Sequence, residues 1–113
     1  MTEKDLQKFG KCPYVTAQRL LQGKWSIVIL HNLDGHTLRF SELQKLMPYV
    51  TNATLSSQLK TLEQEGLIRR SVYPEVPPRV EYELTDIGHE FEPVLSSIAV
   101  WGEKYMDWKN KAS

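Results

Sequence analysis

The chain has 113 residues, 41% of them hydrophobic and 25% charged, with 14 Lys+Arg against 14 Asp+Glu. That length suits one domain with one modest core and little apolar surface to spare, and the composition excludes wholesale disorder. Apolar runs reach only four residues, as at Ile27–Leu30, against the roughly 20 that a membrane helix needs. The polar, mixed-charge start Met1-Thr2-Glu3-Lys4-Asp5 lacks the pattern of a signal peptide, so a cytoplasmic location and no membrane partner are expected. The single cysteine, Cys12, excludes an internal disulfide and any multi-cysteine metal site.

Zero net charge argues at first against a nucleic-acid partner. It is a cancellation, however: residues 1–80 carry eleven Lys+Arg and seven Asp+Glu, and residues 81–113 carry three and seven. A front of +4 and a tail of −4 suggest two surfaces with different jobs.

In chain order, residues 1–11 read as a mobile arm or a short helix, broken by Cys12-Pro13-Tyr14. Helical character follows from about Val15 to Gln22, with Gly23 as punctuation. Lys24–Leu33 is apolar on nearly every side; its β-branched run would also suit a strand, but its length and the Asp34-Gly35 stop favour a central buried helix. Leu38-Arg39-Phe40 is a short extended piece. Ser41 is the predicted N-cap of a short helix whose Leu43, Leu46 and Met47 share one face and which stops at Pro48.

Thr51 is placed to cap a helix running to Glu65, with Gly66 as its stop. Leu55, Leu59 and Leu62 form its apolar stripe. Opposite lie Ala53, Thr54, Ser57, Lys60, Thr61 and Gln64, a small polar face with a positive charge and no acid. Leu67–Tyr73 and Arg79–Thr85 read as two strands joined by Pro74-Glu75-Val76-Pro77-Pro78, a hairpin with a stiff projecting tip. A long helix follows from Thr85-Asp86 to about Trp108, with a kink or restart at Pro93.

This order predicts a mainly α fold with a small β-hairpin wing (α+β): a winged helix-turn-helix in a single domain spanning residues 1–113. The helix-turn-helix covers about 41–66, the wing about 67–85 and the C-terminal helix about 86–108. A major-groove helix needs donors and acceptors without bulk. Thr51, Asn52, Thr54, Ser57, Gln58 and Thr61 supply them, Ala53 suits a thymine methyl, and Lys60 reaches a phosphate or a guanine. The same face would also suit plain solvation; the helix before it and the hairpin after it favour DNA.

Arg79 near the hairpin tip can enter a minor groove or clamp phosphate, and Arg39 and Lys45, on the other side of the reading helix, can hold the DNA backbone. The bland alternative pairs Arg69, Arg70 or Arg79 with Glu75, Glu81 or Glu83. The last helix carries two apolar stripes, Phe91/Leu95/Gly102/Met106 and Val94/Ile98/Trp101/Tyr105/Trp108. One face suffices for packing within a domain, so the second is the expected dimer interface. Burial of both stripes within one domain is the alternative.

Cys12 is either a small buried residue or a reactive thiol with Lys8 and Lys11 nearby. No catalytic motif, cofactor loop or metal spacing is present. His31, His36 and His89 share no ligand spacing; His31 is expected in the core or an interface, and His36 in a solvated turn. The chain is therefore not expected to be an enzyme, and no cofactor is expected.

The segments Cys12-Pro13, Gly23-Lys24-Trp25, Arg39-Phe40-Ser41-Glu42-Leu43, Leu55 through Ile68, Pro78 through Thr85 and Trp101-Gly102 stand in an order and spacing that resembles the bacterial HxlR-type, MarR-like winged helix-turn-helix transcriptional regulators. The resemblance implies a homodimer joined by N- and C-terminal helices, acting as repressor or activator on double-stranded DNA with an inverted-repeat operator. In several such proteins a cysteine near the N-terminus senses oxidants, quinones or aldehydes, and Cys12 matches that position. The family's usual Ile-Ser at the start of the reading helix is Thr51-Asn52 here, so the operator sequence does not carry over. Two alternatives stand beside this reading: control by a non-covalent small ligand with Cys12 inert, and a winged-helix protein-interaction module that never touches DNA.

Overall fold

The structure, a computed structural model, describes residues 8–112; the arm expected at the start of the chain lies largely outside them. After a turn over residues 8–11, helix α1 spans Pro13–Leu20. It starts two residues before the predicted Val15 because Pro13 fits the first turn, where no N–H is needed. Helix α2, Ser26–Leu33, supplies Ile29, Leu30 and Leu33 to the core. His31 is on its exposed side, not in the core of the protomer.

Strand β1 is only Leu38–Arg39. Helix α3, Phe40–Leu46, begins before the predicted Ser41 cap. Arg39 occupies the N-cap position, and its N–H donates to Glu42 Oε1 at 2.8 Å, so a carboxylate one turn on does the capping. Leu43 and Met47 are buried, but Leu46, placed on the same face from sequence, is exposed.

Helix α4, Asn52–Gln64, follows the prediction closely. Thr51 Oγ1 accepts from the Thr54 N–H at 3.2 Å. Leu55, Leu59 and Leu62 are fully buried, each contributing about 1.5–3 kcal/mol of transfer free energy. At the C-terminus the Gly66 N–H donates to the Glu63 carbonyl and the Leu67 N–H to the Leu62 carbonyl, both at 3.0 Å. This paired closure needs a left-handed residue, and Gly66 has φ +82°.

Strands β2, Ile68–Tyr73, and β3, Arg79–Leu84, form the antiparallel hairpin. β1 adds to the free side of β3, pairing Leu38 with Tyr82 and Arg39 with Glu81, so the sheet order is β1-β3-β2. One face of this sheet places Ile68, Tyr82 and Leu84 against the helices.

The predicted restart at Pro93 is present. Helix α5 is a single turn, Asp86–His89, and helix α6 runs Glu92–Ala112 with Pro93 in its first turn. Thr85 ties three elements together. Its Oγ1 donates to the Gly66 carbonyl at 2.6 Å and accepts from the Gly88 N–H at 3.2 Å, while its N–H donates to the Leu67 carbonyl at 3.1 Å. The end of α4, the root of the wing and the start of α5 therefore meet at one point.

Candidate nucleic-acid interface

α3 and α4 meet through the turn at residues 47–51, in which Val50 is buried. Gln44 of α3 reaches across it, its Nε2 donating to the Val50 carbonyl at 2.8 Å. This brace was not legible in the sequence, since a glutamine on a short helix has no pattern-level partner. The turn holds α4 with its leucine stripe inward and the opposite face outward.

On that outward face Ala53, Ser57, Lys60 and Thr61 are exposed and Thr54 is half-buried, while Asn52 is exposed at the first turn. The Thr61 hydroxyl donates to the Ser57 carbonyl at 3.2 Å, which leaves its lone pairs outward as acceptors. Thr51 is occupied as the cap. Gln58 points elsewhere: it is half-buried, and its Oε1 accepts from the Trp25 N–H at 2.8 Å. It ties α4 to the start of α2, a position on the flank of α4 rather than on its outer face.

The wing also sorts its arginines. Arg69 pairs with Glu83 across the hairpin at 3.0 Å. Arg79 contacts Glu75 at 3.2 Å and Glu81 at 3.3 Å, with its guanidinium 4.0 Å from the centre of the Tyr73 ring. Its side chain is only 28% exposed. Arg79, expected to reach out from the tip, is thus engaged inside the wing in this structure, as in the pairing alternative. Arg39 and Lys45 are exposed.

Cys12 is half-buried at the N-terminal edge of α1. Its carbonyl accepts from both the N–H and the hydroxyl of Thr16, at 2.9 and 2.8 Å, and it lines a shallow pocket with Lys11, Thr16 and Leu20.

On α6 the two stripes separate. Leu95 is buried and Phe91 packs against the core, but Met106, assigned to the inward stripe, is 60% exposed. The helix has by then run past the body that its first turns pack on. Trp101, Tyr105 and Trp108 form a ladder with ring centres 5.7 and 5.6 Å apart, and they are 66%, 47% and 61% exposed. Val94 is exposed and Ile98 half-buried beside them. No helix of the described residues is long and apolar enough to cross a membrane. No group of three or more His, Cys, Asp or Glu suited to a metal ion occurs among them.

A model of the HxlR-like helix-turn-helix matches residues 20–110. The chain belongs to the HxlR-like helix-turn-helix family. The HTH-type transcriptional regulator YdeP of Bacillus subtilis is 44% identical to the HxlR-like chain over 99 residues, covering 88% of this chain and 77% of the relative. Among solved structures, the redox regulator HypR in its reduced form superposes with a TM-score of 0.82 at 33% identity, over 88% of this chain and 99% of that one. The reduced transcriptional regulator YodB of B. subtilis superposes at 0.73 with 33% identity, over 83% and 93%. The HxlR-like chain is a transcriptional regulator of the helix-turn-helix type, and its α+β architecture is that of winged-helix regulators. Its relatives and its fold are those of regulators rather than enzymes.

Proposed function

We propose that this regulator works as a homodimer on double-stranded DNA carrying an inverted-repeat operator. Each α4 enters the major groove of one half-site, and the half-sites lie about 34–36 Å apart, one helical turn. Asn52, Ala53, Thr54, Ser57, Lys60 and Thr61 face the bases and flanking phosphates, with Arg39 on the adjoining backbone and the wing beside it. The observation that carries this reading is the outward face of α4: small, polar, cationic and free of acids. Thr51 and Gln58 serve this interface by fixing the helix, through its cap and through its tie to Trp25.

The exposed Trp101/Tyr105/Trp108 ladder supports pairing of two copies through α6. An apolar surface of that kind is costly to leave in water, and two half-sites need two reading helices. The −4 tail then lies in the region between subunits, away from the phosphates.

HypR is a redox regulator, and YodB has been solved in reduced and diamide-treated forms, which supports Cys12 as a sensor. With one cysteine per chain, Cys12 responds either by modification of its own thiol or by a disulfide between subunits. For the disulfide, two thiols lose two protons and two electrons to an oxidant such as a quinone or peroxide. A shift of about 1 Å at such an interface is enough to move two reading heads.

Selection of bound genomic fragments tests the reading. A regulator enriches a palindromic site whose affinity falls steeply with salt; absence of binding at low salt would leave a protein-interaction module. Comparing Cys12→Ser with the parent for operator release under quinone tests the sensor, and equal release counts against it. One observation favours a second reading in which a small ligand controls the protein. An apolar cavity of about 270 Å³ lies among Ala17, Leu20, Leu30, Leu67, Ile87 and Phe91, where α1 and α5 meet the root of the wing. Ligand-dependent release in Cys12→Ser would support it.

A further inference from the structure

The three wing-strand arginines differ in what they are free to do. Arg69 and Glu83 are cross-strand neighbours on the outer face of the sheet. Arg79 is taken up by Glu75, Glu81 and Tyr73. Arg70 stands opposite Tyr82. Side chains alternate along a strand, so Arg70 shares the face of Ile68 and Leu84, which turns toward the helices.

There Arg70 borders a cleft of about 310 Å³ with Ser56, Lys60, Glu63 and Tyr82. Ser56, Lys60 and Glu63 follow one another at i, i+4 and i+7, so they form one flank of α4. Lys60 stands where that flank meets the outward face. Among the described residues neither Arg70 nor Lys60 forms an ion pair. The cleft therefore sets two cations, both solvent-exposed, against the one carboxylate of Glu63.

We propose that this cleft seats a single phosphate of the duplex backbone, gripped by Arg70 and Lys60 with Ser56 as hydroxyl donor. Arg69 and Arg79 shape the wing instead of touching DNA. The inference rests on the DNA-binding reading above and assigns a phosphate contact within it. A guanidinium presents two parallel donors to phosphate oxygens, and an ammonium adds a point charge from a second direction. A phosphate fixed between helix and wing sets the depth and register of α4 without reading sequence.

Because the contact is sequence-independent, a mixed-sequence duplex of about 30 base pairs serves as the probe, bound by the full chain across a salt series. For the parent, log K falls linearly with log salt. Arg70→Gln is expected to weaken binding several-fold at low salt and to reduce the slope by about 0.9 per protomer bound. Arg70→Lys keeps the charge and most of the slope. Arg69→Gln and Arg79→Gln leave the slope at the parent's value. An unchanged slope in Arg70→Gln, or an equal loss in Arg79→Gln, overturns the seat while leaving DNA binding intact. Failure of the parent itself to bind the duplex at low salt overturns the DNA reading and the seat with it. Arg70 is exposed, so Arg70→Gln is expected to melt with the parent, and a loss of fold in that variant also counts against a purely electrostatic role.

Discussion

Gly88 is the sharpest test of how the wing is joined to the rest of the molecule. A Cβ built at this buried position meets the Leu67 carbonyl oxygen and comes within 3.3 Å of Leu84 Cβ. The Leu67 carbonyl cannot simply swing away, because it accepts the Thr85 N–H at 3.1 Å and belongs to the residue that closes α4. Gly88→Ala must therefore push α5 off the root of the wing and, in displacing the Leu67 carbonyl, break that bond. Overpacking of this kind costs about 1–3 kcal/mol, and a lost hydrogen bond adds about 1 kcal/mol. The expected loss of about 2–4 kcal/mol is a large share of the order of 10 kcal/mol that holds a domain of this size. At roughly 4 °C per kcal/mol, the melting temperature should fall by about 8–16 °C, read by circular dichroism at fixed protein concentration. A melting temperature within about 2 °C of the parent would refute the reasoning, since it would mean that α5 relaxes away from Leu67 at no cost.

Other substitutions separate structural from contacting roles. Gln58→Leu removes the acceptor of the Trp25 N–H and should cost about 1–2 kcal/mol in urea unfolding; an unchanged midpoint would return Gln58 to the list of free base readers. Thr51→Ala should cost about 1 kcal/mol through loss of the α4 cap, seen as a fall of about 4 °C in melting temperature. Paired Trp101→Ala and Tyr105→Ala changes remove exposed side chains. Sedimentation should show monomers while the far-ultraviolet spectrum is retained; persistence of a dimer would move the interface off α6.

The parts of this fold that were readable from sequence are those governed by local rules. α4 carries its cap, its leucine stripe and its glycine stop within residues 51–66, and all three are where local chemistry puts them. Pro93 marked a helix start for the same reason. The misplacements share a different origin. Ser41 looked like a cap because its type is right, but the Glu42 carboxylate had already satisfied the Arg39 N–H. Met106 fits the helical period but lies beyond the first turns of α6, and Leu46 is turned aside from its buried neighbours Leu43 and Met47, so both are exposed. Gln58 and Arg79 have the residue types that contact DNA. Their partners Trp25, Glu75 and Glu81 are fixed only by tertiary structure in one case and by strand twist and a turn in the other. At the candidate interface, sequence thus supplies the chemistry of a side chain, while packing decides whether it is still free.

The two-residue strand β1 has a consequence out of proportion to its length. Leu38 and Tyr82 pair although they lie 44 positions apart in sequence, and the segment between them contains both helices of the helix-turn-helix and most of the wing. Closing so long a loop carries an entropic cost that must be met before the pairing contributes anything, and non-local pairing of this kind slows folding. The reading helix is in effect enclosed in a ring fastened by a few backbone hydrogen bonds. It cannot be excised as an autonomous peptide: a fragment that stops at Gly66 loses the return strand that anchors β1 and leaves Leu55, Leu59 and Leu62 without part of their cover.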